Sequence, residues 1–394
     1  MAVNLTNADK ALKTVYLDVV SEQLNGATNP LLAKIKQSTE DVWGKEVRKL
    51  AIYGVNGGVG AGTEEGALPK AHGNNYGQFV STLKNLYGTI EITDKAIRAS
   101  ENNSGAFVNL LNAEMEGLVK ASSFNFGRML FGDGSGILTT AYGGEEDGRI
   151  VVKSVKNIIE GMTIDISYND CEDIISGLDG IRVLSVDREN NSFKTNARID
   201  DIMGIGSGCY VTVQGSYKNE ITGIKKIFDK EAVEIYGINK DNNKWLTPYV
   251  KENVGEIDEL TLQTALDSIE EKSGSAVDFI VCSWGVRRAL QKVFSENKIR
   301  VESVNLDGGF KAITYNGIPI VADRFCPEGT MYLLNTKDFT LHQLCDWQWL
   351  SGDDGKILRQ IPGKPVYTAT LVKYAELMCA KPYGQGMLSG IIEK

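Results

Sequence analysis

A long glycine-rich segment between two strand-like runs constrains this chain more than any other feature. Gly54 to Phe79 reads GVNGGVGAGTEEGALPKAHGNNYGQF, whereas VRKLAIY before it and FVSTLKNLYGTIEIT after it have the residue types of strands. A connection of this length without helix or strand character is uncommon inside a compact domain and usually protrudes with a function of its own. The pattern predicts an extended, flexible β-excursion whose glycines permit several backbone shapes.

Helical periodicity on both sides of this excursion predicts two helices. The N-terminal one has Leu12, Val15 and Val19 on one face. The second is long and covers residues 104–131, and Gly132 is expected to end it in the left-handed conformation. The residues that define the buried face of the long helix are Phe107, Leu111, Met115 and Leu118.

A change of pattern from Arg149 to Phe228 indicates an inserted β-rich domain. Helical periodicity stops there, and six short alternating runs are separated by Gly, Asn and Asp: RIVVKSV, MTIDISY, IRVLSV, SFKTNARI, CYVTVQG and ITGIKKI. Short strands at this density are typical of a compact β-barrel or sandwich.

Helix and strand alternate in the remainder of the chain. A helix is predicted to end at Gly274, a buried strand covers Val277 to Ser283, and Ser283 is expected to cap the helix that follows. Asn316-Gly317 lies between two strand-like runs and predicts a tight type I′ hairpin turn. The C-terminal run PVYTATLVKYAELMCAKP has the alternation of a long strand.

Composition excludes several classes of protein. The chain has 394 residues, which suggests two to three domains of ordinary size, and its hydrophobic fraction of 42% is too high for a disordered chain. We expect no membrane helix, because apolar runs stay well short of the necessary length, and no secretory signal at MAVNLTNADK. The net charge of -9 disfavours a broad surface for gripping nucleic acid.

Two glycine clusters resemble ligand-binding loops only superficially. GGVGAGTEEG, from Gly57 to Gly66, lacks the Lys and Ser/Thr of a phosphate-binding loop and has Thr63 where a dinucleotide fingerprint needs glycine. FGDGSGIL, from Phe131 to Leu138, lacks the spaced oxygen ligands and terminal Glu of a calcium loop. We interpret the first as a flexible loop and the second as a turn after a helix.

The residue types that usually carry catalysis or bind metal are scarce or scattered. No CxxC pair occurs, so we expect reduced thiols and no zinc site. Of the two histidines, His72 lies in the glycine-rich segment, and His342 is three residues from Cys345, on the opposite strand face, which indicates an edge or interface histidine. The sequence therefore predicts no catalytic residue, cofactor or metal. The six cysteines are Cys171, Cys209, Cys282, Cys326, Cys345 and Cys379.

Acidic pairs and tryptophans have ordinary structural explanations. Adjacent carboxylates at Glu64-Glu65, Asp200-Asp201 and Asp353-Asp354 are interpreted as solvated faces of polar loops. Trp347 and Trp349 share one strand face, which favours core packing or a subunit contact over a platform for stacking sugars.

The order of these elements resembles the major capsid protein of tailed bacteriophages, whose fold is shared with encapsulins and the herpesvirus capsid floor. The excursion from Tyr53 to Phe79 is similar to the family's extended E-loop, and residues 104–131 with FGDGSGIL resemble its spine helix and the loop after it. YNGIPIVADRFCPEGTMYLLN, from Tyr315 to Asn335, is similar to a "G-I-P-I … P-x-G-x-x-Y-x-L" stretch of the family, and TATLVKYAELMCAKPYGQG to its last P-domain strand.

The resemblance implies an α+β capsid fold with an inserted β-barrel-like domain. The segments it implies are an N-terminal arm and helix (1–50), the E-loop (51–87), a P-domain with the spine helix (88–139), the β-rich insert (140–235), an A-domain (236–340), and a return to the P-domain with the C-terminal strand (341–394).

A function follows from the resemblance: copies of the chain assemble into pentamers and hexamers of an icosahedral virion shell. The shell is expected to enclose double-stranded DNA without reading its sequence, and to assemble in the cytoplasm of a bacterial host. A portal, a separate scaffolding protein (few residues precede Pro30) and a decoration protein on the insert are the other expected partners. The expected inter-subunit contacts in the E-loop are Val55, Asn56, Gly60, Glu64, Glu65, Leu68, Lys70, Asn74 and Tyr76.

Other functions remain open at this point. An encapsulin-like compartment would use the same fold around a protein cargo. A β-rich surface protein that binds glycans through the insert belongs to a different class, and so does a hydrolase that uses scattered carboxylates.

Overall fold

The computed structural model describes residues 29–95, 104–169, 173–297, 303–305, 310–352, 355 and 357–394, with the backbone alone at 104–112 and 303. The predicted N-terminal helix, Cys171 and Asp353-Asp354 lie outside the described residues. The helices are α1 (Ser104–Leu130), α2 (Ile199–Met203), α3 (Lys225–Phe228), α4 (Glu259–Ser273) and α5 (Trp284–Glu296).

The strands are numbered in chain order. They are β1 (Lys36–Ser38), β2 (Val42–Trp43), β3 (Glu46–Tyr53), β4 (Asn75–Thr82), β5 (Lys84–Thr93), β6 (Ile137–Gly144), β7 (Arg149–Val152), β8 (Thr163–Ser167), β9 (Ile181–Asp187), β10 (Ser192–Thr195), β11 (Tyr210–Val213), β12 (Glu234–Ile235), β13 (Ile238–Asn239), β14 (Tyr249–Lys251), β15 (Phe279–Cys282), β16 (Ser303–Asn305), β17 (Lys311–Tyr315), β18 (Ile318–Ala322), β19 (Met331–Leu334), β20 (Phe339–Trp349), β21 (Arg359–Gln360), β22 (Val366–Cys379) and β23 (Gly386–Leu388).

The chain forms two compact units. One contains the described residues up to Gly127 and those from Ile224 to Lys394, and the other spans Arg128–Gly223. This confirms an α+β fold that carries an inserted β-barrel. The assignment of the six functional segments stays a prediction.

A five-stranded sheet in the first unit is built around β22, the predicted C-terminal strand. β22 pairs along its length with β5 on one side, and with β20 and β21 on the other, while β1 adds to β20 in parallel. Trp347 and Trp349 on β20 are buried, which confirms core packing, and the Trp347 ring meets Phe126 of α1 edge-on at 6.2 Å. Buried aromatic contacts of this kind hold α1 on the sheet.

A seven-stranded sheet in the same unit runs in the order β14-β23-β19-β15-β18-β17-β16, with α4 and α5 packed against it. The local predictions here are confirmed: Gly274 ends α4 at φ 60°, the Ser283 side chain accepts from the Val286 amide at the start of α5, and Asn316 and Gly317 form the β17–β18 turn at φ 49° and 80°. These positions follow rules that involve few neighbours.

The second unit is a closed six-stranded barrel in the order β10-β7-β6-β11-β8-β9. Side chains such as Ile150, Ile164 and Val211 fill it and are 0% exposed. At its edge, the Arg128 guanidinium donates to both carboxylate oxygens of Glu220, at 2.9 and 2.5 Å, with both side chains nearly fully buried. Closure pairs every strand on both sides and leaves no open edge.

One predicted strand of this region is wrong. ITGIKKI does not enter the barrel but leads into the short helix α3, and the sixth barrel strand is β6, which precedes the predicted run. Ile221, Ile224 and Ile227 are all buried, at a spacing of three residues. That spacing suits a helical turn, whereas a strand buries every second residue.

The predicted end of α1 is also wrong in detail. Gly132 does not have a positive φ; the left-handed glycines of this turn are Gly134 (86°) and Gly136 (78°). The Asp133 carboxylate accepts from the Ser135 amide at 3.0 Å, so an aspartate turn, rather than a glycine cap, stops the helix. Gly223 covers the last turn, because a Cβ built there would lie within 2.7 Å of three helix-end carbonyl oxygens.

Candidate inter-subunit surface

The glycine-rich segment is carried by an antiparallel hairpin of β3 and β4. The two strands pair continuously from Glu46 with Thr82 to Tyr53 with Asn75, and β2 extends them to a three-stranded sheet. Strand alternation puts Val47, Ala51 and Phe79 on an inner, buried face. The hairpin is therefore buried on its inner face, and its outer face is free.

Two aromatic residues far along the chain anchor the inner face of the hairpin. The Trp245 ring stacks on Tyr53 with centroids 4.4 Å apart and lies 6.1 Å from the Phe79 ring. Tyr236 lies 5.4 Å from Phe79, and its hydroxyl accepts from the Cys379 amide at 3.1 Å. Burial raises the pKa of Tyr236. Sequence reasoning missed both anchors, although Tyr236-Gly237 has the form of a tight turn.

The outer face of the same hairpin is apolar and uncovered in the isolated chain. Leu50, Ile52 and Tyr76 are 61%, 60% and 55% exposed, and Ile52 pairs directly with Tyr76 across the strands. Adjacent exposed apolar side chains on a flat strand face are uncommon in a monomer and mark interaction surfaces. Of the predicted contact residues, Tyr76 lies here, while Leu50 and Ile52 were missed although they alternate with Ala51.

Residues 54–74, called the ribbon below, continue the hairpin without strand pairing but with their two legs side by side. The Asn56 side-chain amide donates to Asn74 Oδ1 at 2.9 Å, and Asn74 donates to the Tyr76 hydroxyl at 3.3 Å. Further out, a Cβ built on Gly60 would lie 3.1 Å from the Pro69 ring. The structure thus brings together Asn56, Asn74 and Tyr76 and sets Gly60 against Pro69 of the opposite leg.

The far end of the ribbon presents the other predicted contact residues to solvent. Glu64 and Glu65 occupy a turn closed by the Gly66 amide and the Thr63 carbonyl at 3.0 Å. Val55 and Leu68 are 84% and 90% exposed, and Val59 is 87% exposed. Lys70, Glu64 and Glu65 are exposed as well. Apolar side chains this exposed gain nothing within the subunit and would be buried by a partner.

The spine-helix residues divide into three groups. Met115 is fully buried, and Leu118 is half-buried against β5, where a Cβ on Gly88 would lie 2.8 Å from Leu118 Cδ1. The side chains of Phe107 and Leu111 lie outside the described residues. Gly127 lets α1 approach the Phe325 ring, since a Cβ there would lie 2.6 Å from it.

The residues weighed for catalysis are placed apart or buried. The prediction of an edge or interface position for His342 is wrong: β20 lies between β1 and β22, and His342 is 1% exposed with Nδ1 3.2 Å from the Glu40 carbonyl oxygen. Burial lowers its pKa. Burial also raises the pKa of the Cys282 thiol to about 12, which keeps it protonated at neutral pH. His72 is exposed on the ribbon.

Within the described part of the chain, no group of three or more His, Cys, Asp or Glu side chains is placed to hold a metal ion. Nor does any helix described there combine the length and apolar character needed to cross a bilayer.

Comparison with known proteins is informative at the level of structure. No family model and no curated protein matches the sequence. The capsid asymmetric unit of cyanophage A-1(L) is similar in structure, with a TM-score of 0.55 at 11% identity, over 94% of this chain and 92% of that one. This chain has the phage capsid fold.

Other solved structures are similar at lower scores. A structure of Mycobacterium phage Adephagia has a TM-score of 0.47 at 10% identity and covers 94% of this chain and 92% of its own. The holo-SrpI encapsulin complex from Synechococcus elongatus PCC 7942 has a TM-score of 0.42 at 9% identity and covers 81% of this chain and 78% of its own.

Proposed function

We propose that this chain is the major capsid subunit of a tailed bacteriophage, a structural protein and not an enzyme. The observation that carries the proposal is the structural match to a phage capsid subunit over nearly the whole of both chains. Copies of the chain would form pentamers and hexamers of an icosahedral shell in the virion, assembled in the bacterial cytoplasm. Closed symmetric assembly makes many modest contacts cooperative.

The surface described above supports self-assembly independently of the match. The hairpin is rigidly held on one face by Trp245 and Tyr236, and it exposes apolar side chains on the other face and along the ribbon. A subunit that lies over its neighbour needs this combination of a fixed base and an unburied outer face. We therefore assign the nine predicted E-loop residues to contacts between subunits.

The remaining partners follow from the proposed role. The shell would enclose double-stranded DNA, and a net charge of -9 is compatible with a wall that does not bind DNA tightly. A separate scaffolding protein and a portal would take part in assembly. The barrel, as a self-contained unit, is the proposed site for a decoration protein.

The experiment is to measure assembly of the purified full chain by sedimentation velocity and negative-stain electron microscopy. Pentamers, hexamers or polyhedral shells are expected, whereas a monodisperse monomer at high concentration contradicts the proposal. Shells purified from infected cells should contain DNA-packaging or scaffolding proteins; a packaged enzyme would instead indicate an encapsulin-like compartment.

A variant without the ribbon tests the contact surface. Replacing residues 54–74 with Asn-Gly joins Tyr53 to Asn75, which already pair, through a favoured two-residue turn. We expect a folded subunit with urea unfolding close to that of the parent chain, because the ribbon adds little to the core, but no capsomers. Normal shells from this variant would refute the E-loop assignment.

A further inference from the structure

An open cavity of about 340 Å³ lies in the first compact unit, between α3 and β14. Three lysines, Lys230, Lys240 and Lys244, line it together with two acidic residues, Glu231 and Asp241. The other lining residues are Phe228, Ala232, Val233, Thr247, Pro248 and Val250.

Lys240 is the buried cation of this cavity. The residue is 9% exposed, and its Nζ donates to the Asp229 carbonyl oxygen. Burial lowers its pKa. Lys230 and Lys244 are each paired at the surface, with Glu252 at 2.9 Å and with Asp241 at 3.2 Å. A buried ammonium with three donor hydrogens and a single carbonyl acceptor among the described residues has room for a carboxylate partner.

The volume and lining of the cavity suit a short acidic peptide turn better than a single ion. Apolar walls from Phe228, Val233 and Pro248 stand beside the lysines. Such a lining would cover the stem of a Glu side chain while the ammonium groups bind its carboxylate. Val233, at the cavity mouth, is 60% exposed and available to a partner.

The chain itself carries a matching segment at the end of the ribbon. Glu64 and Glu65 lie side by side on the exposed Thr63–Gly66 turn, and the paired legs hold this turn well beyond the hairpin base. Trp245 stacks on Tyr53, where the ribbon leaves the hairpin, and the neighbouring Lys244 lines the cavity. The roughly ten residues between Tyr53 and the turn span at most about 35 Å, which is the reach of the acidic end from the hairpin.

We infer that the acidic turn of one subunit docks in the lysine-lined cavity of a second copy of this chain. The inference rests on the proposed function and specifies which surfaces of two capsid subunits meet. Glu64 and Glu65 supply the carboxylates, and Lys240, Lys230 and Lys244 receive them. Buried opposite charges at such a contact set register and partner choice.

Charge reversal tests the pairing. Glu64→Lys/Glu65→Lys changes an exposed turn and leaves folding intact; we expect at least a tenfold smaller capsomer fraction by sedimentation velocity. Lys230→Glu/Lys244→Glu should do the same from the cavity side, without touching the buried Lys240. Combining the two double variants restores opposite charges and should recover assembly. Lys311→Glu, on an exposed strand position elsewhere, is the control and should assemble normally.

An engineered disulfide tests the position directly. Glu64→Cys combined with Val233→Cys should give covalent ladders of subunits after mild oxidation, while either cysteine alone should not. A disulfide that closes within one chain would overturn the inference, since the ribbon would then fill its own cavity.

The outcomes separate the two proposals. If the parent chain forms capsomers while charge reversal leaves them unchanged, the docking inference fails and the capsid proposal stands. If the parent chain forms no oligomer at all, the capsid proposal fails, and the inference fails with it.

Discussion

The barrel and the hairpin are both antiparallel β-structure, but the barrel buries its apolar side chains, whereas the hairpin and its ribbon expose theirs. In the barrel, Ile150, Ile164 and Val211 are fully buried, and each strand is paired on both sides. In the ribbon, Val59 and Leu68 are 87% and 90% exposed, and the legs between β3 and β4 have no strand pairing. The barrel buries its apolar groups within itself, and the ribbon leaves its apolar groups exposed to solvent.

This difference separates stability from assembly along one chain. Substitutions in the barrel act on folding, because they remove contacts that the subunit makes with itself. Substitutions in the ribbon leave the contacts within the isolated subunit unchanged and would affect only contacts with another subunit. The two regions therefore predict opposite pairs of results in an unfolding assay and an assembly assay.

The largest effect on folding is expected from Arg128→Ala. The variant leaves the Glu220 carboxylate buried without its bidentate partner, a loss that typically costs about 3–5 kcal/mol. Urea unfolding of the purified chain, followed by circular dichroism, measures this loss.

Two matched variants separate the effect of an unpaired buried charge from the effect of losing an ion pair in general. Arg149→Ala breaks two exposed pairs, with Asp147 at 2.8 Å and with Asp187 at 3.6 Å, and should cost about 0–1 kcal/mol. Arg128→Met/Glu220→Leu removes both charges together and should recover much of the stability. If Arg128→Ala costs no more than Arg149→Ala, the barrel does not depend on its buried pair.

How far the sequence predicts each region depends on the range of the interactions involved. The Asn316-Gly317 turn, the Ser283 cap and the Gly274 helix end follow local rules and are confirmed. Composition predicts the ribbon, because the segment is rich in glycine and the runs on either side have the residue types of strands. The contact that fixes the start of the ribbon is not predicted, because Trp245 and Tyr53 are nearly two hundred residues apart in the chain and no local pattern indicates that they meet.

The errors have the same origin. The prediction of an edge or interface position for His342 fails because the sequence does not reveal strand order: β1 and β22 pair with β20 on its two sides. ITGIKKI is one of the short alternating runs that predict strands, whereas its buried isoleucines are three residues apart, which suits a helical turn. The lysine cavity gathers side chains from several turns and short elements, so its existence depends on their arrangement in space.

A smaller effect is expected from Asp187→Asn at the barrel surface. Asp187 accepts from the Asn190 side chain and from the Asn190 and Glu189 amides, and it lies 3.6 Å from Arg149; these contacts hold its pKa below 3.8. A carboxyl with a lowered folded pKa stabilises the fold above its unfolded pKa and loses that contribution as pH falls through the folded value.

The pH profile isolates this charge, because Asn keeps an acceptor oxygen in the same place. The unfolding free energies of the parent chain and Asp187→Asn should differ by a constant amount between about pH 5 and pH 7 and converge below pH 4. Asp179→Asn, at an exposed position, is the control. A difference that persists unchanged into acid would show that shape rather than charge is responsible.

The smallest effect on folding, and the sharpest test of the comparison, is expected from Val59→Ser/Leu68→Ser in the ribbon. Because both side chains are already almost fully exposed, the free energy of unfolding of the subunit should change by no more than about 0.5 kcal/mol. Assembly should nevertheless fall strongly, since a partner would bury both side chains and each is worth about 1.5–3 kcal/mol when removed from water. Leu184→Ser, at an exposed position of the barrel strand β9, is the matched control and should leave both assays unchanged. If the ribbon variant assembles as well as this control, the exposed apolar side chains of the ribbon are not the contact surface. The contrast between a self-sufficient barrel and a partner-dependent ribbon would then depend on the acidic turn alone.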